Sequence, residues 1–303
     1  MCIRDSITIT LERLNEDTGR LIGDWVDVTL TGGGLDYVIA DEPSRVYQYD
    51  RSDDRFEQVV AYHVIDQNQE YIHSLGYDDD TGPTENGIRD FPILVNTHWT
   101  KTRNAFYSPA DDTLHFGDAT DNVDLAEDGD IVLHEYGHAI QHGQNPSWGG
   151  GEMGAMGEGF SDYWAASFFA DTGDPVYLAT HAPAVGEWGF LSELPGVRRV
   201  DGDKIYPDDL SASVHESGEI WSAALWELRT QLGRDTVDVL VLESHFELPG
   251  SSTMNDGAFA VLAADQNLNG GANADVIQQV FEDRGIFKAV SYTHLTLPTI
   301  CSV

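Results

Sequence analysis

The sequence predicts an α+β fold: a β-rich first part, one central buried helix, a helical last part, and a cleft between two lobes. Three observations predict it. Residues 7–49 and 91–117 carry strand-like alternation. Residues 129–145 form a helical stretch so apolar that little of it is left for water. After Val214, helical periods alternate with Gly and Asn breaks. The lobes then span residues 7–145 and 146–290.

The ends stand apart. Met1–Ser6 (MCIRDS) and Ser291–Val303 read as translated adapter sequence from DNA library preparation, and are set aside as a tag would be. Arg4 and Asp5 cancel, so the net charge stays at −36; both cysteines go, and no disulfide framework is expected. ITITLERL, a turn at Asn15–Gly19 and LIGDWVDVTL, running up to Gly32–Gly34, predict a hairpin. From Asp54 the period changes. Phe56, Val59, Val60, His63, Val64, Tyr71, Ile72 and Leu75 make a helical stripe closed by Gly76, with His63 expected as a hydrogen-bonded core residue and not a ligand. Tyr77–Arg89 is a polar loop.

Phe91–Trp99 (FPILVNTHW) reads as a strand, which Pro92 confines to an edge or a strand start. Asn104–Ser108 and Thr113–Gly117 flank a Pro109–Asp112 turn, a hairpin whose open edge can pair with an extended peptide. The acidic run Asp118–Asp130 leads into the central helix, where Asp128 and Asp130 suit the positive end of the dipole. Gly143 and Pro146 end that helix, Gly149–Gly151 connect it to a second, and residues 172–207 are irregular. His215 opens VHESGEIWSAALWEL, followed by three more helical stretches. Asp265–Gly270 (DQNLNG) imitates an EF-hand opening, but Val276 stands where the closing glutamate belongs, so a helix–helix turn is expected.

The chemistry concentrates in GDIVLHEYGHAI and GEMGAMGEGFSD, residues 129–162. His134 and His138 lie one helical turn apart on one face, with Glu135 offset between them. That is the H-E-x-x-H pattern, two neutral imidazole ligands and an adjacent base on one rigid element. Twenty residues later Glu158 completes a His/His/Glu set that leaves a fourth tetrahedral position for water, the arrangement of a catalytic zinc. Asp162, one turn beyond, is placed to accept the other ring N–H of His134.

Composition narrows the partners. A net charge of −36 argues against nucleic acid and anionic membrane surfaces, and no apolar run is long enough to span a bilayer. Only three of the 16 basic residues are lysine (Lys101, Lys204, Lys288), a balance expected of a salt-adapted protein.

HEYGHAI, GAMGEGFSDYWA, NAFYSP, VHESGEIW, ADQNLNGGAN and the weaker GVR at Gly196–Arg198 together resemble the thermolysin-type zinc metalloendopeptidases, more closely the fungalysin branch, from about Phe56 to Phe287. The resemblance implies a two-lobed, secreted gluzincin endopeptidase acting on proteins or peptides, with an inhibitory propeptide commonly preceding it. It implies that His134, His138 and Glu158 bind zinc, that Glu135 is the base and that Asp162 partners His134. His215 would stabilise the oxyanion, Asn104 and Ala105 would bind substrate backbone, and Arg198 would hold a carbonyl near the cleaved bond. Asp130 matches a calcium-binding carboxylate, making calcium a second candidate cofactor, although the acid that partners it in thermolysin is Phe169 here. Two further positions depart from thermolysin: Gly157 replaces an asparagine, so His138 needs another partner, and the active-site tyrosine falls at Gly149, with Trp148 its neighbour. The rival readings are a gluzincin aminopeptidase, whose G-x-M-E-N stretch is not found, and an inactive zinc-containing adhesion or binding module.

Overall fold

Helix α1 (Phe56–Ser74) lies against the sheet on one side and the central helix on the other, which explains its unusual polar core. Ala61, Tyr62, Ile65 and Ile72 are buried as their period requires, yet Glu57, Gln58, Asp66, Asn68 and Gln69 are buried too. Most of these polar groups find distant partners, as burial demands. Arg13 holds Asp66 through two bonds of 2.7 and 2.9 Å. Trp164 Nε1–H donates to Asn68 (2.9 Å), and the Tyr136 hydroxyl donates to Gln69 (2.6 Å). His63 departs from expectation: it is half-buried, and its buried Nδ1 meets no hydrogen-bond partner among the described residues. The computed structural model describes residues 8–30, 37–78, 87–118, 124–171, 181–186 and 196–287. The adapter-like ends, Gly32–Gly34 and residues 79–86 of the polar loop lie outside the described residues.

The sheet has the order β1-β2-β4-β3, with β1 Val26–Val28, β2 Ile93–Thr100, β3 Ala105–Ser108 and β4 Thr113–Gly117. Strands β1 and β4 run parallel to β2, and β3 pairs antiparallel with β4 as the edge. Pro92 immediately precedes β2, so the strand-start alternative holds and β2 is interior. The predicted N-terminal hairpin is largely absent. Among the described residues isolated bridges such as Leu14–Gly23 remain, because β1 hydrogen-bonds to β2 and the Tyr62 hydroxyl donates to the Glu12 carbonyl (2.8 Å).

The central helix α2 (Gly129–Gln144) starts at Asp128, whose carboxylate accepts the Asp130 N–H (3.0 Å) as an N-cap. Helix α3 (Gly151–Phe169) follows after a short connection. Within the stretch read as irregular, β5 (Ala184–Val185) and β6 (Arg198–Arg199) form a two-stranded antiparallel ribbon. The last part is helical: α4 Val214–Leu232, α5 Arg234–Phe246, α6 Met254–Asn269 and α7 Ala274–Asp283. Between α6 and α7 the buried Asp265 accepts from Asn269 Nδ2, Asn273 N and Asn273 Nδ2, so the EF-hand-like run is a helix–helix turn.

One continuous apolar core links Val26 and Ile93 in the sheet through α1, α2 and α3 to Phe281 in α7. Two close approaches set its geometry. A Cβ on Gly137 would lie 2.7 Å from Ser161 Oγ, so α2 and α3 touch backbone to backbone between the two histidines. A Cβ on Gly159 would lie 2.3 Å from the Gly218 carbonyl, which brings α4 equally close to α3.

Candidate metal centre and active site

These crossings put three helices around one point. His134 and His138 project from α2 with ring centroids 4.9 Å apart and planes at 89°. Glu158 on α3 faces both: its Oε2 is 3.3 Å from His134 Nε2 and its Oε1 is 3.6 Å from His138 Nε2. One ligand atom from each of the three lies within 4.8 Å of the others, a spacing that fits a single cation. Glu158 Oε2 is buried without a hydrogen-bond partner, an oxygen left for a ligand of another kind. His215 enters from the first turn of α4, with its Nε2 3.3 Å from the same oxygen. Its side chain is 55% exposed against 12% for Glu158, so it stands at the cleft surface while the carboxylate lies beneath.

The electrostatics suit a cation. Burial disfavours a charge on His134, yet Asp162 and Glu158 outweigh it and lift the imidazole to about 10. Burial pushes His138 down to about 4, leaving it the neutral imidazole a metal requires. Burial also works against ionised Glu158, but its contacts with His134, His138 and His215 hold it down to about 2. The position is one of negative potential built from fixed carboxylates.

Asp162 sits behind His134, its Oδ1 2.8 Å from Nδ1, an acceptor that fixes Nε2 as the ligand atom. Arg198 on β6 donates to both Asp162 oxygens, Nε at 2.6 Å and Nη2 at 2.8 Å, and keeps that buried carboxylate well below its ordinary range. The family resemblance implies only a substrate role for Arg198; the ion pair with Asp162 is new, and a separation of 36 positions along the chain explains why no local pattern signals it.

Glu135 is buried beside His134, and burial pushes its carboxyl up to about 7. Its Oε2 accepts the backbone N–H of Tyr107 on β3 (3.1 Å), a contact the sequence does not reveal. The Asn104 carbonyl accepts from Gly117, so Asn104 faces β4. By the two-residue alternation of a strand, Ala105 and Tyr107 turn their backbone groups away from β4, and it is the Tyr107 N–H that meets Glu135. Asp130 does not join this group. It lies in the first turn of α2, where the Phe169 ring packs so close to Gly129 that a Cβ there would meet it at 2.8 Å. Trp148 packs edge-on against His245, with ring centroids 5.0 Å apart.

A second group, Glu57, His98 and Asp124, gathers between α1, β2 and the approach to α2. Both His98 nitrogens already face oxygen: Nδ1 meets Asp118 at 2.9 Å, and Nε2 meets the Asp54 carbonyl at 2.7 Å and Glu57 at 2.5 Å. Burial opposes its charge, but these carboxylates raise it to about 10, so His98 is itself the cation of this cluster.

Comparison with known proteins agrees with the geometry. The extracellular metalloproteinase MEP of Fusarium vanettenii is 25% identical over 288 residues, covering 77% of this chain and 44% of that protein. Extracellular metalloproteinase 4 of Arthroderma gypseum is 27% identical over 270 residues, covering 71% of this chain and 41% of its own length. The chain thus spans less than half the length of these curated relatives. Among solved structures, the precursor of protealysin, a metalloproteinase from Serratia proteamaculans, superimposes with a TM-score of 0.61 at 16% identity, covering 79% of this chain and 81% of that one, a likeness of fold. A sequence profile described as Fungalysin metallopeptidase (M36) matches residues 44–236, more than half of the chain, and the protein therefore belongs to the fungalysin metallopeptidase family.

Proposed function

We propose that this chain is a zinc-dependent endopeptidase that hydrolyses internal peptide bonds of proteins. The observation that carries the reading is the convergence of His134, His138 and Glu158 beside a buried carboxylate, Glu135, and an exposed donor, His215. The two-nitrogen, one-oxygen donor set and the unpartnered Glu158 Oε2 fit zinc. When bound there, zinc supplies Lewis acidity, lowering the pKa of a water molecule and polarising the scissile carbonyl.

The side chains then divide the work. Glu135, poised near neutrality by burial, removes the proton from the attacking water and delivers it to the departing amine. The Tyr107 N–H fixes the orientation of that carboxylate. His215 donates to the carbonyl oxygen as negative charge grows on it. Asp162, anchored by Arg198, keeps His134 in the tautomer that presents Nε2. Asn104 and Ala105 at the start of the edge strand hold the extended peptide backbone, and Arg198 holds a carbonyl near the cleaved bond.

The names of the fungal relatives support secretion, and likeness to a protease precursor supports an N-terminal inhibitory segment acting on this site. No helix among the described residues is long and apolar enough to cross a membrane. Casein hydrolysis that is abolished by a chelator and restored by zinc is the expected result. Cleavage of an N-terminally blocked peptide separates an endopeptidase from an aminopeptidase. Zinc-replete protein that cleaves neither substrate overturns the proposal in favour of a binding module.

A further inference from the structure

His138 lacks the firm partner that His134 has in Asp162. Its Nδ1 lies 3.4 Å from Ser161 Oγ, beyond the usual hydrogen-bond range. Ser161 is also crowded by the Gly137 backbone, which limits how it can close the gap. Three buried polar atoms on two nearby side chains have no partners: Gln141 Oε1, Gln141 Nε2 and Trp148 Nε1. Gln141 is 1% exposed and sits three residues after His138, on the same face of α2. That spacing makes the amide and the His138 imidazole neighbours on the helix surface. Orphaned groups of this kind are rare in a packed interior, and three in one place point to a shared arrangement.

Gly157 locates that arrangement. A Cβ built on it would lie 2.7 Å from Trp148 Nε1 and 3.4 Å from Gln141 Oε1, so the donor and the acceptor converge on the space a side chain at 157 would take. A carbonyl oxygen has two lone pairs and accepts two N–H groups, whereas an indole N–H only donates.

Resting on the zinc reading above, we propose that Gln141 is the positioning residue for His138: its Oε1 accepts the Nδ1–H of His138 and is held by the indole N–H of Trp148 across Gly157. Gln141 thereby does for the second histidine what Asp162 does for the first, fixing the tautomer and the aim of Nε2. The partner is neutral, not charged. It leaves His138 the less basic of the two ligands, and it adds no charge to a site already rich in carboxylates.

The test is competition for Zn2+ between the protein and a chelator of known affinity, with thermal stability measured on metal-free and zinc-loaded protein. Gln141→Leu, which keeps the volume and removes the acceptor, is expected to weaken zinc binding about 10–100-fold, while the melting temperature of the metal-free protein holds or rises. Gln141→Glu, which keeps an acceptor, should recover most of the affinity. Trp148→Phe, which removes only the N–H, should produce a smaller loss in the same direction. Wild-type affinity in Gln141→Leu overturns the proposal, as does a full loss in Ser161→Ala with none in Gln141→Leu. If Gln141→Leu does not fold, Trp148→Phe decides: reduced affinity supports the relay and unchanged affinity overturns it. Failure of the unaltered protein to bind zinc would instead sink the functional reading itself.

Discussion

Glu135 occupies a position where charge and geometry separate cleanly. Its Oε2 takes the Tyr107 N–H, and a glutamine amide oxygen can take the same bond. Glu135→Gln should therefore keep the fold and the bound zinc yet lose about 10²–10⁴-fold or more in turnover, because the amide accepts no proton. Elemental analysis alongside casein turnover checks both halves; loss of metal and activity together would contradict the role. His215 differs in kind. It is open to solvent and meets the site at Glu158 without belonging to the His134, His138 and Glu158 set, so its removal leaves those three residues in place. His215→Ala is expected to lower kcat by on the order of a hundredfold or more with little change in zinc content, and an unchanged kcat would take His215 out of the mechanism.

At the scale of elements, the site is as legible as its local spacing. Helix α2 announces itself because both histidines, the base and the apolar face share one period, and α3 because Glu158 and Asp162 share the next. The polar core of α1 is hidden. Gln69 and Asn68 find partners in Tyr136 and Trp164, far along the chain, and nothing local distinguishes them from surface residues. The same holds for Arg198, delivered to Asp162 by a two-stranded ribbon. The N-terminal hairpin shows the limit from the other side: alternation identifies strand-like segments but not their neighbours, and β1 pairs with β2.

The His98 cluster joins α1, β2 and the approach to α2, and its titration gives that junction a pH signature. His98 is raised, so its contribution is complete below its ordinary range and fades as pH climbs toward about 10. His98→Gln should cost about 3–5 kcal/mol in weakly acidic solution, with the gap to the unaltered protein closing as pH approaches the raised value. Asp124 carries the opposite sign of charge. Burial, then Asp118 and Glu57, push it up to about 7, so stability is lost as pH rises from the ordinary carboxylate range to that value, and the loss is complete above it. Asp124→Asn should accordingly raise the melting temperature in mildly alkaline buffer and leave it nearly unchanged in acid. Urea unfolding of both variants across pH measures the two slopes, and parallel, pH-independent shifts would refute the assignment.

For the whole molecule, 52 acidic residues face only 16 basic ones. Salt acts on such a chain in two opposing ways. It weakens ion pairs such as Arg13–Glu70 and Arg199–Asp201, but exposed pairs of this sort contribute little, roughly 0–1 kcal/mol each. It also screens the repulsion among the surplus carboxylates, whose reach falls from about 10 Å at 0.1 M salt to about 3 Å at 1 M. With a net charge of −36 the second effect outweighs the first, because few cations are present to lose partners while most acids repel one another. The melting temperature should therefore rise steadily from about 0.05 M to about 1 M sodium chloride. Screening depends on ionic strength, whereas preferential exclusion depends on the identity of the anion, so chloride and sulfate at matched ionic strength should give the same rise over the dilute part of that range. A flat or falling curve in chloride would mean that the acidic surface is already neutralised by bound cations, and would remove the physical basis for salt adaptation.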